Sequence, residues 1–229
     1  RRKSNTTDDG ILSLLDNINE EVNQENSNKN PVINSTQRDY MAGEVSKDLS
    51  KRVLLPNEII RAHEEGIIHF HDSDYFAQRE HNCDLINLED MLQNGTVISE
   101  TLIEKPHSFF TACNVTTQIV AQVASNQYGG QSVDMKHLGK YLRKSYNKFK
   151  EEIEAKYKDK LSQDIIEDLV QTRLKAELKA GVQTIQYQIN TLMTTNGQSP
   201  FVTLFLHLEP DDPYIKENAM IIEEILRQR

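Results

Sequence analysis

Phe201-Val202-Thr203-Leu204-Phe205-Leu206-His207-Leu208 is the run that decides the fold class. Apolar, aromatic and β-branched types fill most of its eight positions. Asn196-Gly197-Gln198-Ser199-Pro200 bounds it on one side and the turn from Glu209 to Pro213 on the other, so it reads as a strand. On both flanks the apolar period changes from strand to helix. Upstream, Ser162 is placed to cap a helix running to about Thr195, with Ile165, Ile166, Leu169, Val170, Leu174 and Leu178 as its apolar stripe. Downstream, Tyr214 to Arg229 has an amphipathic helical pattern. Helix, strand, helix in succession predicts an α/β layer or barrel with helices outside.

Working outward, Asp134 to about Lys160 predicts another long helix, and its Lys/Glu-rich part from Lys148 reads as a solvated face. Ser108 to about Asn126 predicts a third, closed by Gly129-Gly130. Glu89 to Gln93 is a short helix stopped by Asn94-Gly95. Before it, Asp72 to His81 reads as a polar loop leading to Cys83-Asp84-Leu85-Ile86-Asn87-Leu88. Ile67-Ile68-His69-Phe70-His71 is expected to be a strand between Gly66 and Asp72. A helix from Pro56 should end at Gly66 as its C-cap, and Asp39 to Val53 predicts the helix before it. The Asn-rich stretch from Asn23 to Asn34 is a loop, and Ile11, Leu14, Leu15, Ile18 and Val22 lie at helical spacing.

A net charge of -9 over 229 residues argues against non-specific DNA or anionic-membrane binding, both of which need a basic footprint. Anionic nucleotides stay open, because a few backbone N–H groups suffice for them. No apolar run approaches the roughly 20 residues needed to span a bilayer. Two cysteines make no disulfide framework, so a reducing, cytoplasmic setting is expected. The chain opens without Met and stops inside a helical pattern, and is expected to be a piece of a longer protein.

Three constellations could carry chemistry. On a strand, His69 and His71 share a face, with Asp72 and Asp74 following. That pattern allows a metal site, a polar wall for a substrate's hydroxyls or phosphates, or a satisfied turn. Cys83, in His81-Asn82-Cys83-Asp84, is either a reactive thiol or a small buried hydrophobe, whereas Cys113, inside a helix, is expected to pack in the core. Gly129-Gly130 after a helix either frees the backbone to approach a phosphate or simply ends the helix. It is not a Walker A loop, since the Gly-Lys-Ser/Thr ending is missing.

Four blocks resemble the anaerobic (class III) ribonucleoside-triphosphate reductases, in the same order. They are Gly66 to Tyr75, His81 to Leu88, Gln118 to Gly130 and Asn190 to Thr203, and the likeness runs from about Asn34 to Arg229. The resemblance implies a ten-stranded β/α barrel of two halves with the substrate at its centre. Residues 34–229 would be the first part of that barrel. Residues 1–33 would be a linker and helix following a nucleotide-binding cone. The implied reaction removes the ribose 2′-hydroxyl of a ribonucleoside triphosphate by radical chemistry.

Residue by residue, Cys83 matches the family's second active-site cysteine, which takes part in reduction. His69, His71 and Asn82 match residues that line the substrate pocket. Gln122, Gln127, Tyr128, Gly129 and Gly130 fall in the region of the dimer interface and of the nucleotide effectors, ATP and deoxynucleotides. No resident metal is implied for these residues. The glycyl radical, the thiyl-forming cysteine and a four-cysteine structural zinc site all belong to family segments outside this chain. The implied partners are a second copy of the chain and a radical activase that uses S-adenosylmethionine and an iron–sulfur cluster. On this reading the chain alone is expected to be catalytically silent. The alternatives are a nucleotide-binding or dimerising remnant, a pyruvate formate-lyase type of glycyl-radical enzyme, and a metal hydrolase built on His69, His71 and Asp72.

Overall fold

The computed structural model describes residues 34–191 and 200–228. The helix expected over Ile11 to Val22, and most of the loops expected at 23–34 and 196–200, lie outside the described residues. Those residues form two compact units, 34–82 with 125–128, and 83–124 with 129–191 and 200–228.

In the first unit, α1 (Asn34–Leu49) runs directly into a π-helical turn, Ser50–Leu54. The helix therefore includes residues 34–38, ahead of its expected boundary at Asp39. Two small side chains, Ser46 and Ser50, let the following loop lie against it. Ser46 Oγ donates to the Ser73 carbonyl at 2.7 Å and accepts the Ala77 N–H at 3.0 Å. After Pro56, α2 (Asn57–Glu64) ends as the sequence predicts. Gly66 takes φ +71°, its N–H reaches the His63 carbonyl, and the Ile67 N–H reaches back to the Ala62 carbonyl at 2.8 Å. This pair of bonds is a Schellman closure.

The same closure corrects the strand expected over Ile67–His71. The N–H groups of Ile67 and Ile68 both go to Ala62, and that of Phe70 goes to His63 Nδ1 at 3.3 Å. Three amides that a ladder would need are spent locally, and the segment pairs with no strand among the described residues.

The second unit holds a three-stranded parallel sheet in the order β1 (Asp84–Leu85), β4 (Gln131–Asp134), β5 (Val202–Phe205). Between β1 and β4 come α3 (Leu88–Asn94), the hairpin β2 (Thr96–Ile98) and β3 (Thr101–Ile103), and α4 (Phe109–Ala124). A 3₁₀ turn (Met135–Leu138), α5 (Gly139–Tyr157) and α6 (Gln163–Thr191) connect β4 to β5, and α7 (Ile215–Arg227) follows. The architecture is α/β and dominated by helix, with each parallel crossover made through helices.

Two expectations are corrected here. The helix drawn from Asp134 begins only at Gly139, because 131–134 form the central strand and Asp134 caps the 3₁₀ turn, accepting the Lys136 N–H at 3.0 Å. The eight-residue strand at 201–208 shrinks to four, because its partner among the described residues, β4, is four residues long.

The core lies between the sheet and the helices. Phe109, Ala112, Cys113, Ile119 and Val120 of α4 meet Ile166, Val170, Leu174, Leu178, Val182 and Ile185 of α6, and Tyr141, Leu142 and Phe149 of α5 join them. The α6 seam is narrower than the stripe read from sequence. Ile165 and Leu169 sit about 100° round the helix from Ile166 and Val170, and they are exposed. Gly181 lets α6 close on α4, since a Cβ there would stand 2.6 Å from Phe109 Cε1 and 2.9 Å from Cys113 Sγ.

Candidate functional site

Parallel strands put their side chains alternately on two faces. Gln131 and Val133 of β4 are buried, and Val202 and Leu204 of β5 pack on the same core, so these define the helix-covered face. By register, Leu85 pairs with Ser132 and Ser132 with Thr203, while Asp134 pairs with Phe205. These five residues therefore make up the opposite, open face. Leu85 is 79% exposed there.

Cys83 immediately precedes β1, and its side chain is exposed. The strand behind it is anchored by the Asp84 N–H on the Gly130 carbonyl (3.1 Å) and the Ile86 N–H on the Ser132 carbonyl (3.0 Å). Gly130 serves this packing, because a Cβ there would stand 2.9 Å from the Phe201 ring. The thiol therefore sits at the start of a strand fixed at the backbone level, the kind of support that holds a reacting group in place. Cys113 is buried in the core as expected. Burial, and then the negative charge of Glu177, push its thiol well above the usual range.

The histidine cluster belongs to the first unit. His71 Nδ1 lies 2.8 Å from Asp72 Oδ2, and its ring stacks near that of His69, with centroids 6.5 Å apart. His63, which sequence spacing did not single out, stands 5.5 Å from His69. The two histidines of the motif do come together, through a turn rather than a strand. Among the described residues no set of three or more His, Cys, Asp or Glu side chains is arranged to hold a metal ion.

Asn82, Gln127 and Tyr128 also meet within this unit. The Gln127 side chain donates to the Asn82 carbonyl at 3.1 Å, the Tyr128 N–H to the His81 carbonyl at 3.1 Å, and Tyr128 stacks on Tyr75 at 4.2 Å. Gln122 is exposed on α4, and with Gly129 and Gly130 it belongs to the second unit.

One pair escaped the sequence reading. His207 Nδ1 lies 2.7 Å from Asp134 Oδ2, across 73 positions of chain. His207 stacks on Phe205, with ring centroids 5.6 Å apart, and Lys136 meets Glu209 at 3.1 Å beside them. No one-dimensional signal joins such residues. Only the parallel pairing of β4 with β5 does so.

Residues 25–229 match the family described as anaerobic ribonucleoside-triphosphate reductase. The Escherichia coli protein of that name is 37% identical over 234 aligned positions, which cover all of this chain and 31% of the relative. The Salmonella typhimurium protein gives the same identity and coverage. The Haemophilus influenzae protein is 38% identical over 89% of this chain and 28% of its own length. The chain thus spans about a third of the length of these relatives. With every described residue inside the match, the chain belongs to the anaerobic ribonucleoside-triphosphate reductase family.

Proposed function

We propose that this chain is the first part of the catalytic barrel of an anaerobic ribonucleoside-triphosphate reductase, acting in the cytoplasm to make deoxynucleotides. Three parallel strands with helical crossovers fit the opening strands of a ten-stranded barrel, with residues 34–229 inside it and 1–33 a linker after a nucleotide-binding cone. The overall change replaces the ribose C2′–OH by C2′–H. The hydroxyl leaves as water, and a reductant supplies two electrons and two protons. Cys83 gives a hydrogen atom to the substrate radical: its S–H bond breaks, a C–H bond forms, and the reductant restores the thiol. His69, His71 and Asn82 bind the ribonucleotide. The region of Gln122, Gln127, Tyr128, Gly129 and Gly130 serves dimerisation and effector binding, so that a deoxynucleotide biases the choice of substrate. The glycyl radical, made by an S-adenosylmethionine-dependent activase, supplies the oxidising equivalent from another part of the full-length protein.

The observation that carries this reading is the family match over 25–229, with an exposed thiol, Cys83, at the start of β1. In the full-length protein, Cys83→Ser should leave the glycyl radical signal of the activated enzyme intact and abolish deoxynucleotide formation. Normal turnover in that variant would remove Cys83 from the chemistry.

A further inference from the structure

His63 has no part in the reaction assigned to His69, His71 and Asn82, yet the chain that carries the two motif histidines folds back on it. It lies in the last turn of α2 and is half-buried, whereas His69 is exposed. The Schellman closure at Gly66 turns residues 67–71 back over the end of that helix. The amides on either side of His69 are then both bonded to α2. The Ile68 N–H donates to the Ala62 carbonyl at 3.2 Å, and the Phe70 N–H donates to His63 Nδ1 at 3.3 Å. The Phe70 N–H shares a peptide plane with the His69 carbonyl, so holding it limits the backbone rotation that aims the His69 side chain.

The His69 ring has no comparable hold of its own. Among the described residues it makes no hydrogen bond. Its ring neighbours are His63, with centroids 5.5 Å apart at 50°, and His71, 6.5 Å apart at 16°. The His71 ring, by contrast, has Asp72 Oδ2 at 2.8 Å. Of the two motif histidines, His69 is therefore the one whose place depends on the backbone beneath it.

A ring nitrogen that accepts a hydrogen bond carries no proton, so the Phe70 N–H selects the neutral His63 tautomer with its proton on Nε2. We propose that His63 is a positioning residue for ribonucleotide binding: through Nδ1 it clamps the Phe70 amide and so holds His69 in the orientation that meets the substrate. The proposal rests on the reading of His69 as a substrate-binding residue. It asks no charge of any imidazole. It also differs from a direct substrate contact by His63, which would run through Nε2–H.

The test uses the full-length enzyme, activated with its glycyl radical, and one ribonucleoside triphosphate. His63→Ala should raise KM roughly fivefold, the scale of one neutral hydrogen bond, with kcat within about twofold and the radical yield unchanged. Asparagine carries its carbonyl oxygen near the place of Nδ1, whereas glutamine carries its own near that of Nε2. His63→Asn should therefore bring KM back to within about twofold of the parent, and His63→Gln should not. These two variants carry the test if the alanine variant fails to fold. Rescue by glutamine alone, rescue by neither, an unchanged KM in His63→Ala, or a loss confined to kcat overturns the proposal. In a His69→Ala background, His63→Ala should raise KM little further, because it acts through His69, and fully additive effects overturn the proposal. If His69→Ala by itself leaves KM unchanged, the substrate-binding reading of His69 fails instead. Hydrogen exchange at the Phe70 amide then decides the clamp: faster exchange in His63→Ala, restored in His63→Asn, supports it, and equal exchange overturns it.

Discussion

Replacing Gly181 by alanine puts a methyl group where two core side chains already stand. The new Cβ would lie 2.6 Å from Phe109 Cε1 and 2.9 Å from both Phe109 Cδ1 and Cys113 Sγ. Non-bonded carbons prefer about 3.5–4.0 Å, so the ring must retreat by roughly 1 Å. It has nowhere open to go, because Phe109 and Cys113 are both 0% exposed. Overpacking of this kind costs about 1–3 kcal/mol, and a blocked ring belongs at the upper end. Against that, alanine is the better helix former by about 1 kcal/mol. The net expectation is a loss of about 2 kcal/mol. For a chain of this size each kcal/mol moves Tm by roughly 2–4 °C, so thermal unfolding should shift down by roughly 4–8 °C. Ala180→Gly, at the exposed neighbouring position, is the control and should lose only the helix-propensity difference of about 1 kcal/mol. Adding Phe109→Leu to Gly181→Ala should cost less than the sum of the two single changes, because the pair shares one space. A Gly181→Ala variant as stable as the parent, or more so, would refute the close approach of α4 and α6.

Two further expectations concern groups sealed in the same core. The Tyr141 hydroxyl donates to the Leu92 carbonyl at 2.7 Å, and burial, with a smaller contribution from the charge of Glu89, pushes its pKa up to about 12. Its folded value thus lies above the ordinary value near 10, so its stabilising contribution is complete below about pH 10 and lost as the pH rises towards 12. Tyr141→Phe should cost about 1 kcal/mol near neutrality and lack that alkaline loss in unfolding measured against pH. Alkylation at pH 8 should place one adduct on the native chain, at Cys83, and a second at Cys113 only after unfolding, because burial keeps Cys113 as the unreactive thiol. Peptide mapping that finds Cys113 modified in the folded chain would contradict its burial.

The long helices were legible because their information is local. The stretch from Ser108 to about Asn126 became Phe109–Ala124, and that from Ser162 to about Thr195 became Gln163–Thr191. Gly66 and Gly95 were legible for the same reason, since each ends a helix at positive φ. The sheet was less so. β4 reads Gln-Ser-Val-Asp, with one apolar residue, and is a strand only because β1 and β5 flank it. The β2–β3 hairpin turns on Ser99 and Glu100, at φ 48° and 65°, without the Gly or Asn that usually announces such a turn. The strand read into Ile67–His71 failed in the opposite way. Its composition suits a ladder, but helix closure at Gly66 had already engaged its amides.

The candidate site divides along the same line. Residues chosen as motifs are neighbours in sequence, and local geometry keeps them together: His69 beside His71, and Asp72 on the His71 ring. His63 joins them only because helix closure turns the chain back, so a reading by strand periodicity passes over it. Asp134 and His207 are the extreme case, since each looks ordinary where it stands in the sequence. Parallel pairing aligns Asp134 with Phe205, which leaves His207 two residues beyond the end of the ladder and able to fold back on the carboxylate. A parallel sheet gathers the ends of strands that are distant in the chain, and those ends are where α/β folds put their ligands. The residues such a site uses are therefore those that spacing along the chain reveals last. The alignment of β4 with β5 is the observation that brings His207 to Asp134.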